Sequence, residues 1–186
     1  MLLPSEPMNE DVLIQQLRCE NSRNFAFRQL MQQEQEKTYR LIRRMVIDHD
    51  DADDLTQTTF IKVFENINEF AGKSKLSTWI YRIAVNETLN FLRHKRRKLF
   101  VPIVDVERQL SNKIDTGSNF TGDEIEKKLQ KAILTLPEKQ RLVFNMRYYE
   151  SVKYEEMSEI LGTSVGALKA SYHIAEGKIE KILKSD

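Results

Sequence analysis

The chain has 186 residues, 40% of them apolar, and a formal net charge of +1. Its one cysteine, Cys19, excludes an internal disulfide framework and a Cys-based zinc site, and no run of about 18 apolar residues offers a transmembrane helix. The start, MLLPSEPMNEDVLIQQ, has neither the basic region nor the long apolar run of an export signal, so the expected location is the cytoplasm.

The small total charge hides strong zoning. Residues 45–69 hold seven Asp/Glu against one Lys, and residues 70–98 hold eight Lys/Arg against one Glu; residues 99–126 net −4 and residues 127–149 net +5. A purely solvated surface mixes its signs, so this zoning points to partners.

In chain order, residues 10–18 and 24–47 place apolar residues at helical spacing and predict two helices. The DHDDADD run from Asp48 to Asp54 supplies Asp caps for a third helix from Asp51. Leu55, Thr59, Ile61, Val63, Phe64 and Ile67 give that helix an apolar side, and Asp54, Gln57, Thr58 and Lys62 part of a polar one. Gly72 interrupts the pattern before a fourth helix near Ser77. On that helix Arg82, Asn86, Asn90, Arg93 and Arg97 fall within an arc of about 80° at 100° per residue. Trp79, Ile80, Ile83, Ala84, Val85, Leu89 and Leu92 fill its other faces, which makes core packing the expected role of Trp79. The basic run from Arg93 to Lys98 exceeds what compensation of a helix dipole requires.

Residues 99–122 lose any sustained period and gather Pro, Asp, Asn, Ser, Thr and Gly, as expected of a linker. At about 3.3 Å per residue such a segment spans up to about 75 Å, close to two turns of B-DNA at about 34 Å each. Short apolar pieces at Phe100, Val101, Ile103 and Val104 are expected to pack locally or to bind a groove on a partner. Residues 123–135 are amphipathic, Pro137 opens a helix at its first turn, and KYEEMSEILG, a Gly162-Thr163-Ser164 turn and a long final helix follow. That order predicts a helix-turn-helix. In the last helix Val165, Leu168, Tyr172, Ala175, Ile179 and Ile182 form the core side, opposite Gly166, Ala170 and His173 with Lys169 at the margin. The fold class expected is all-α, with two small helical domains, residues 1–98 and 123–186, each with its own core.

DADDLTQTTF, the loop FAGKSKLSTW and IYRIAVNETLNFLRHKRRK resemble, in order and spacing, region 2 of the extracytoplasmic function (ECF) sigma factors. These are promoter-recognition subunits of bacterial RNA polymerase. LPEKQRLVFNMRYYESVKYEEMSEILGTSVGALKASYHIAEGKI resembles their region 4. The resemblance implies that Asp51, Asp54, Gln57 and Thr58 meet the clamp helices of the polymerase largest subunit, where complementary charge speeds docking. Thr58 departs from the Glu or Asp that often follows the glutamine, so part of the usual electrostatic contact is expected to be missing or to be supplied by Asp50 and Asp53.

It further implies that the loop captures a flipped base of the melted −10 element and that Asn86 reads it, since an amide offers both a donor and an acceptor. The −10 set so implied is Phe70, Lys73, Ser74, Lys75, Arg82, Asn86, Asn90, Arg93, Arg96 and Arg97, with Lys95 also along the phosphates, which give affinity but little sequence information. For the −35 element it implies Ser164, Gly166, Ala167, Lys169, Ala170, Ser171 and His173 in the major groove. Ser171, Ile174 and Glu176 stand where relatives commonly carry basic residues, so weak intrinsic DNA binding is expected of this domain.

The implied partners are core RNA polymerase, through its clamp helices and flap, promoter DNA, and a regulatory anti-sigma factor. No catalysis, cofactor, metal or membrane insertion is expected, and the length leaves no room for the extra domains of larger sigma factors. Two competing readings remain. One is a helix-turn-helix regulator independent of polymerase, which has no need of the acidic helix beside the basic one. The other is a metal-dependent nucleic-acid hydrolase built on Asp48, His49, Asp51 and Asp54, which lacks a second ligand cluster.

Overall fold

The computed structural model describes residues 9–99 and 124–185, which form helices joined by short turns. Helix α1 (Glu10–Arg18) is capped by Asn9, whose side chain accepts from the Asp11 N–H at 2.9 Å. Cys19 is extended, and α2 (Glu20–Val46) starts directly after it, four residues earlier than expected. The Ser22 hydroxyl donates back to the Gln16 carbonyl at 2.9 Å and ties that corner. Ile47 ends α2 in the left-handed region at φ 65°, uncommon for a β-branched residue, and is held there by burial at 2% exposure.

Asp48, within the expected Asp run, caps α3 (His49–Asn66), which starts two residues earlier than expected, and accepts from the Asp51 N–H at 3.1 Å. A short 3-10 turn (Ile67–Glu69) and a loop with Gly72 at φ 67° lead to α4 (Leu76–Leu99), so the whole basic run lies within a helix. The expected linker falls almost entirely on residues 100–123, which lie outside the described residues together with Phe100, Val101, Ile103 and Val104.

Among the described residues the next helices are α5 (Glu124–Leu134), α6 (Glu138–Tyr148), α7 (Tyr154–Leu161) and α8 (Val165–Lys184). Pro137 stands at the cap of α6 rather than in its first turn. Gly162 closes α7 at φ 61°, and the Ser164 hydroxyl accepts from the Ala167 N–H at 3.3 Å to start α8. This is the helix-turn-helix that the spacing predicted.

One apolar cluster, including Leu30, Phe60, Val63, Phe70, Trp79 and Ile80, belongs to the N-terminal helices alone. Another, with Ile133, Leu136, Phe144, Ala175 and Ile179, belongs to the C-terminal helices. The expectation of two separate cores is incomplete, because a third cluster joins Leu41, Met45, Val85 and Leu92 to Leu142, Met146, Met157 and Ile160. Domains this small cover too little of their own apolar surface, and α6 and α7 bury the excess against α2 and α4. Polar contacts stitch the same seam: Arg96 pairs with Glu138 at 2.8 Å, Arg40 and Arg44 approach Glu150 at 3.6 and 3.9 Å, and the Asn145 amide donates to Met45 Sδ at 3.5 Å.

Candidate nucleic-acid interface

The start of α4 is anchored from outside its own sequence. The Leu76 N–H donates to Glu10 Oε1 of α1 at 3.0 Å, and the Arg18 guanidinium donates to the Phe70 carbonyl. Phe70 and Trp79 pack with ring centroids 5.3 Å apart and are both buried, so Trp79 is a core residue as expected. Phe70 supplies an apolar wall and not an open stacking face.

Above this wall lies a cavity of about 420 Å³ lined by Glu69, Phe70, Ala71, Lys73, Ser74, Trp79, Arg82 and Glu159. The fold thus brings together Phe70, Lys73, Ser74 and Arg82 of the expected −10 set. Among the described residues neither Lys73 nor Arg82 has an ion-pair partner, so both cations remain available to an anionic ligand. Lys75 is exposed on the same loop. Asn86 is exposed one turn along α4 and does not line the cavity; Asn90, Arg93 and Arg97 continue the exposed stripe, with Arg93 donating to Asn90 Oδ1 at 3.3 Å. Arg96 and Lys95 are engaged elsewhere, Arg96 with Glu138 and Lys95 with Asp51 at 2.5 Å.

On α3, Asp54 and Gln57 are exposed, Thr58 is half-buried, and Asp51 is partly covered by its pairing with Lys95. Ile61, expected on the apolar side, is instead 57% exposed. Its spacing shows why: Asp54, Gln57, Thr58 and Ile61 stand at i, i+3, i+4 and i+7 and share one face. The sequence reading missed Ile61 by grouping it with apolar residues that point the other way.

The acidic run is occupied with other tasks. Asp48 caps α3, and His49 accepts or donates at 2.7 Å with the Tyr39 hydroxyl and lies 3.4 Å from Asp53. Among the described residues no three His, Cys, Asp or Glu side chains converge as a metal site requires. Among them, too, no helix is long and apolar enough to cross a membrane.

In the C-terminal helices Gly166, Lys169, Ala170 and His173 form an exposed stripe along α8, with the Lys169 ammonium 5.7 Å from the Tyr154 ring centroid and His173 3.9 Å from Glu176. Leu168, Ala175 and Ile179 are buried, as the helical spacing predicted. Ser164 spends its hydroxyl on the helix cap. Ala167 and Ser171 line a cavity of about 250 Å³ with Leu89 of α4 and so face the other domain.

Residues 30–98 match the family Sigma-70 region 2, and residues 126–179 match Sigma-70, region 4. The ECF RNA polymerase sigma factor SigW of Bacillus subtilis is 30% identical over 170 residues, covering 86% of this chain and 89% of that protein. The ECF RNA polymerase sigma-E factor of Haemophilus influenzae is 28% identical over 186 residues, covering 95% of this chain and 96% of that protein. Among solved structures, CnrH in complex with the cytosolic domain of CnrY has a TM-score of 0.70 at 20% identity, covering 95% of this chain and 98% of that one. The sigma factor RpoE in complex with the anti-sigma factor NepR from Bartonella quintana has a TM-score of 0.67 at 22% identity, covering 86% and 98%. With both regions matched in order, a relative at that identity along most of its length, and the same fold, the chain belongs to the ECF sigma factors of the sigma-70 family, the promoter-recognising subunits of RNA polymerase.

Proposed function

We propose that the cavity at the start of α4 receives a base of the melted −10 element, and that residues 1–98 carry polymerase binding and strand capture while residues 123–186 contact the −35 element. The observation that carries this is the pairing of an apolar wall, Phe70 and Trp79, with the cations Lys73 and Arg82 around one cavity. Its volume of about 420 Å³ falls in the range of about 300–1,000 Å³ usual for small-molecule sites. A flipped nucleotide presents a flat apolar face and a phosphate, and needs both kinds of lining. Ser74 adds a hydroxyl, Asn86 stands next on the same face with an amide for a base edge, and Asn90, Arg93 and Arg97 prolong the path for the phosphates.

The stripe Asp54, Gln57, Thr58 and Ile61 is the surface for the clamp helices of core polymerase, with an apolar anchor inside a polar rim. Gly166, Lys169, Ala170 and His173 face the −35 major groove, where a small side chain such as Ala can meet a thymine methyl. With so few cations there, this domain depends on polymerase for its hold on DNA. An anti-sigma factor regulates the protein by masking these surfaces. The chain works in the cytoplasm without a cofactor and contributes binding, not catalysis.

The test is transcription by purified core polymerase on a promoter library. Promoter-specific transcripts that require this chain are expected, and their absence together with failure to co-purify with core overturns the reading. Asn86→Ala is expected to reduce open complexes and relax selection at one −10 position with core binding intact. Asp54→Ala or Ile61→Ala is expected to weaken core binding; loss of core binding by Asn86→Ala as well would show that Asn86 serves folding.

A further inference from the structure

The exposed face of α8 carries a large apolar side chain that the core does not use. Ile174 is 49% exposed and belongs to none of the three apolar clusters among the described residues. At 100° per residue it stands about 120° from the middle of the buried row Leu168, Ala175 and Ile179, and about 40° from Ala170. Gly166, Ala170 and Ile174 follow one another at four-residue steps, all exposed, and make one continuous apolar ridge. We infer that this ridge reads thymine: Ile174, with Ala170, packs on thymine 5-methyl groups in the major groove of the −35 element, so that an A·T pair is selected there over a G·C pair. This rests on the reading of α8 as the −35 surface.

The sizes along the ridge suit a helix that enters the groove by its N-terminal end. A Cβ at Gly166 would meet no atom of the protein within 4 Å, so no internal contact calls for a glycine there, whereas close approach by DNA does. Ala170 adds one methyl a turn later, and Ile174, about 12 Å from Gly166 along the axis, reaches back with a longer side chain. Selection follows from what each base pair shows in the groove. Thymine presents a methyl group, guanine the acceptors N7 and O6, and cytosine an amino donor. Isoleucine and alanine offer neither donor nor acceptor. Against a G·C pair those polar groups lose water without gaining a partner, whereas a thymine methyl gains an apolar one. The polar side chains of the stripe lie along its other edge, about 140° from Ile174 for Lys169 and about 100° for His173. Lys169 sits 5.7 Å from the Tyr154 ring centroid and His173 3.9 Å from Glu176, which leaves the ridge itself apolar.

The test uses the full chain bound to core polymerase. A promoter library randomised through both elements yields the −35 sequence that this holoenzyme selects, and at least one A·T pair is expected in it. Deoxyuridine then replaces each thymidine of that element in turn, on either strand, which removes the 5-methyl group and leaves the hydrogen-bonding pattern unchanged. Binding to each promoter duplex is titrated at one ionic strength. Loss of the contacted methyl is expected to weaken binding by about three- to fivefold. A G·C pair at that position is expected to weaken it by about fivefold or more. Ile174→Ala is expected to weaken binding to the thymidine promoter and to erase the difference between thymidine and deoxyuridine at that pair. Ile174→Arg is expected to move selection at the same pair toward guanine. Because position 174 is exposed, both variants are expected to bind core as the parent does.

A selected −35 element without an A·T preference overturns the inference, and so does a deoxyuridine effect below about twofold at every thymidine. A methyl effect that persists undiminished in Ile174→Ala assigns the contact to another side chain and overturns it too, as does unchanged base selection by Ile174→Arg. Absence of any selection in the −35 region, with core binding and −10 selection intact, instead overturns the reading of α8 as the −35 surface. The two failures therefore give different results.

Discussion

Asn145 lies in the middle of the seam between the domains with 0% of its surface exposed, and its amide nitrogen donates to Met45 Sδ across 100 residues of sequence. Its Oδ1 has no hydrogen-bond partner among the described residues. When the domains separate that oxygen meets water, so its burial taxes the closed form. A buried, unsatisfied carbonyl costs about 1–3 kcal/mol, and the contact to sulfur returns about 0.5 kcal/mol. Leucine keeps the branching of the asparagine side chain and removes both effects. Asn145→Leu is therefore expected to favour the closed form by about 1–2 kcal/mol, a factor of about 5–30 in the closed-to-open ratio. The urea midpoint of the full chain rises, and energy transfer between dyes on the exposed Cys19 and on Lys184→Cys rises with it. Asn145→Asp buries an unpaired charge at the same place and opens the seam. A leucine variant with a lower urea midpoint or lower transfer refutes the reasoning, because it would mean that the oxygen is satisfied or that the seam has no room for two methyl groups.

Removing the cap of α3 with Asp48→Ala is expected to cost about 1 kcal/mol and to lower the midpoint of thermal unfolding by about 2–4 °C, with Asp48→Ser restoring most of it; calorimetry on the three proteins decides. Gly162→Ala places a side chain at φ 61° where no neighbouring atom lies within 4 Å, so the cost is backbone strain alone, about 1–2 kcal/mol in urea unfolding. Gly162→Asn is expected to cost less, and equal costs would refute a backbone origin. The Glu34 carboxyl is pushed above its usual 4.5 mainly by burial, with Lys37 opposing. The folded state then holds that proton more tightly than the unfolded chain, so stability falls as pH rises from the unfolded pKa through the folded one, and the deficit persists at neutral pH. Glu34→Gln is expected to raise the urea midpoint at pH 7 and flatten its pH dependence in that window; equal midpoints at pH 7 would remove burial as the cause.

Much of the site was legible because it is local. Lys73, Ser74 and Arg82 sit within ten residues of one another across a loop and a helix start, and the helical repeat alone puts Arg82, Asn86, Asn90, Arg93 and Arg97 on one stripe. The Asp48 cap follows from short-range hydrogen bonding, whereas Ser164, expected at the −35 groove, uses its hydroxyl to cap α8. Ile61 was legible and misread: its spacing from Gln57 is four residues, yet apolarity drew it to the wrong face.

Sequence by itself determined the all-helical class, the helix-turn-helix, the two family regions and the segregation of acidic from basic surface, because helical period, capping and charge zoning act over a few residues. Only the tertiary structure decided that the two domains share a core, that Glu10 and Arg18 anchor the loop of the cavity, and that Glu159 of the C-terminal helices is among the residues lining that cavity. Thr78 and Glu156 are separated by 78 positions, and no local preference of either residue encodes their meeting. That contact depends on how α6 and α7 bury their surplus apolar surface on α2 and α4, a property of the whole packed chain and not of any segment.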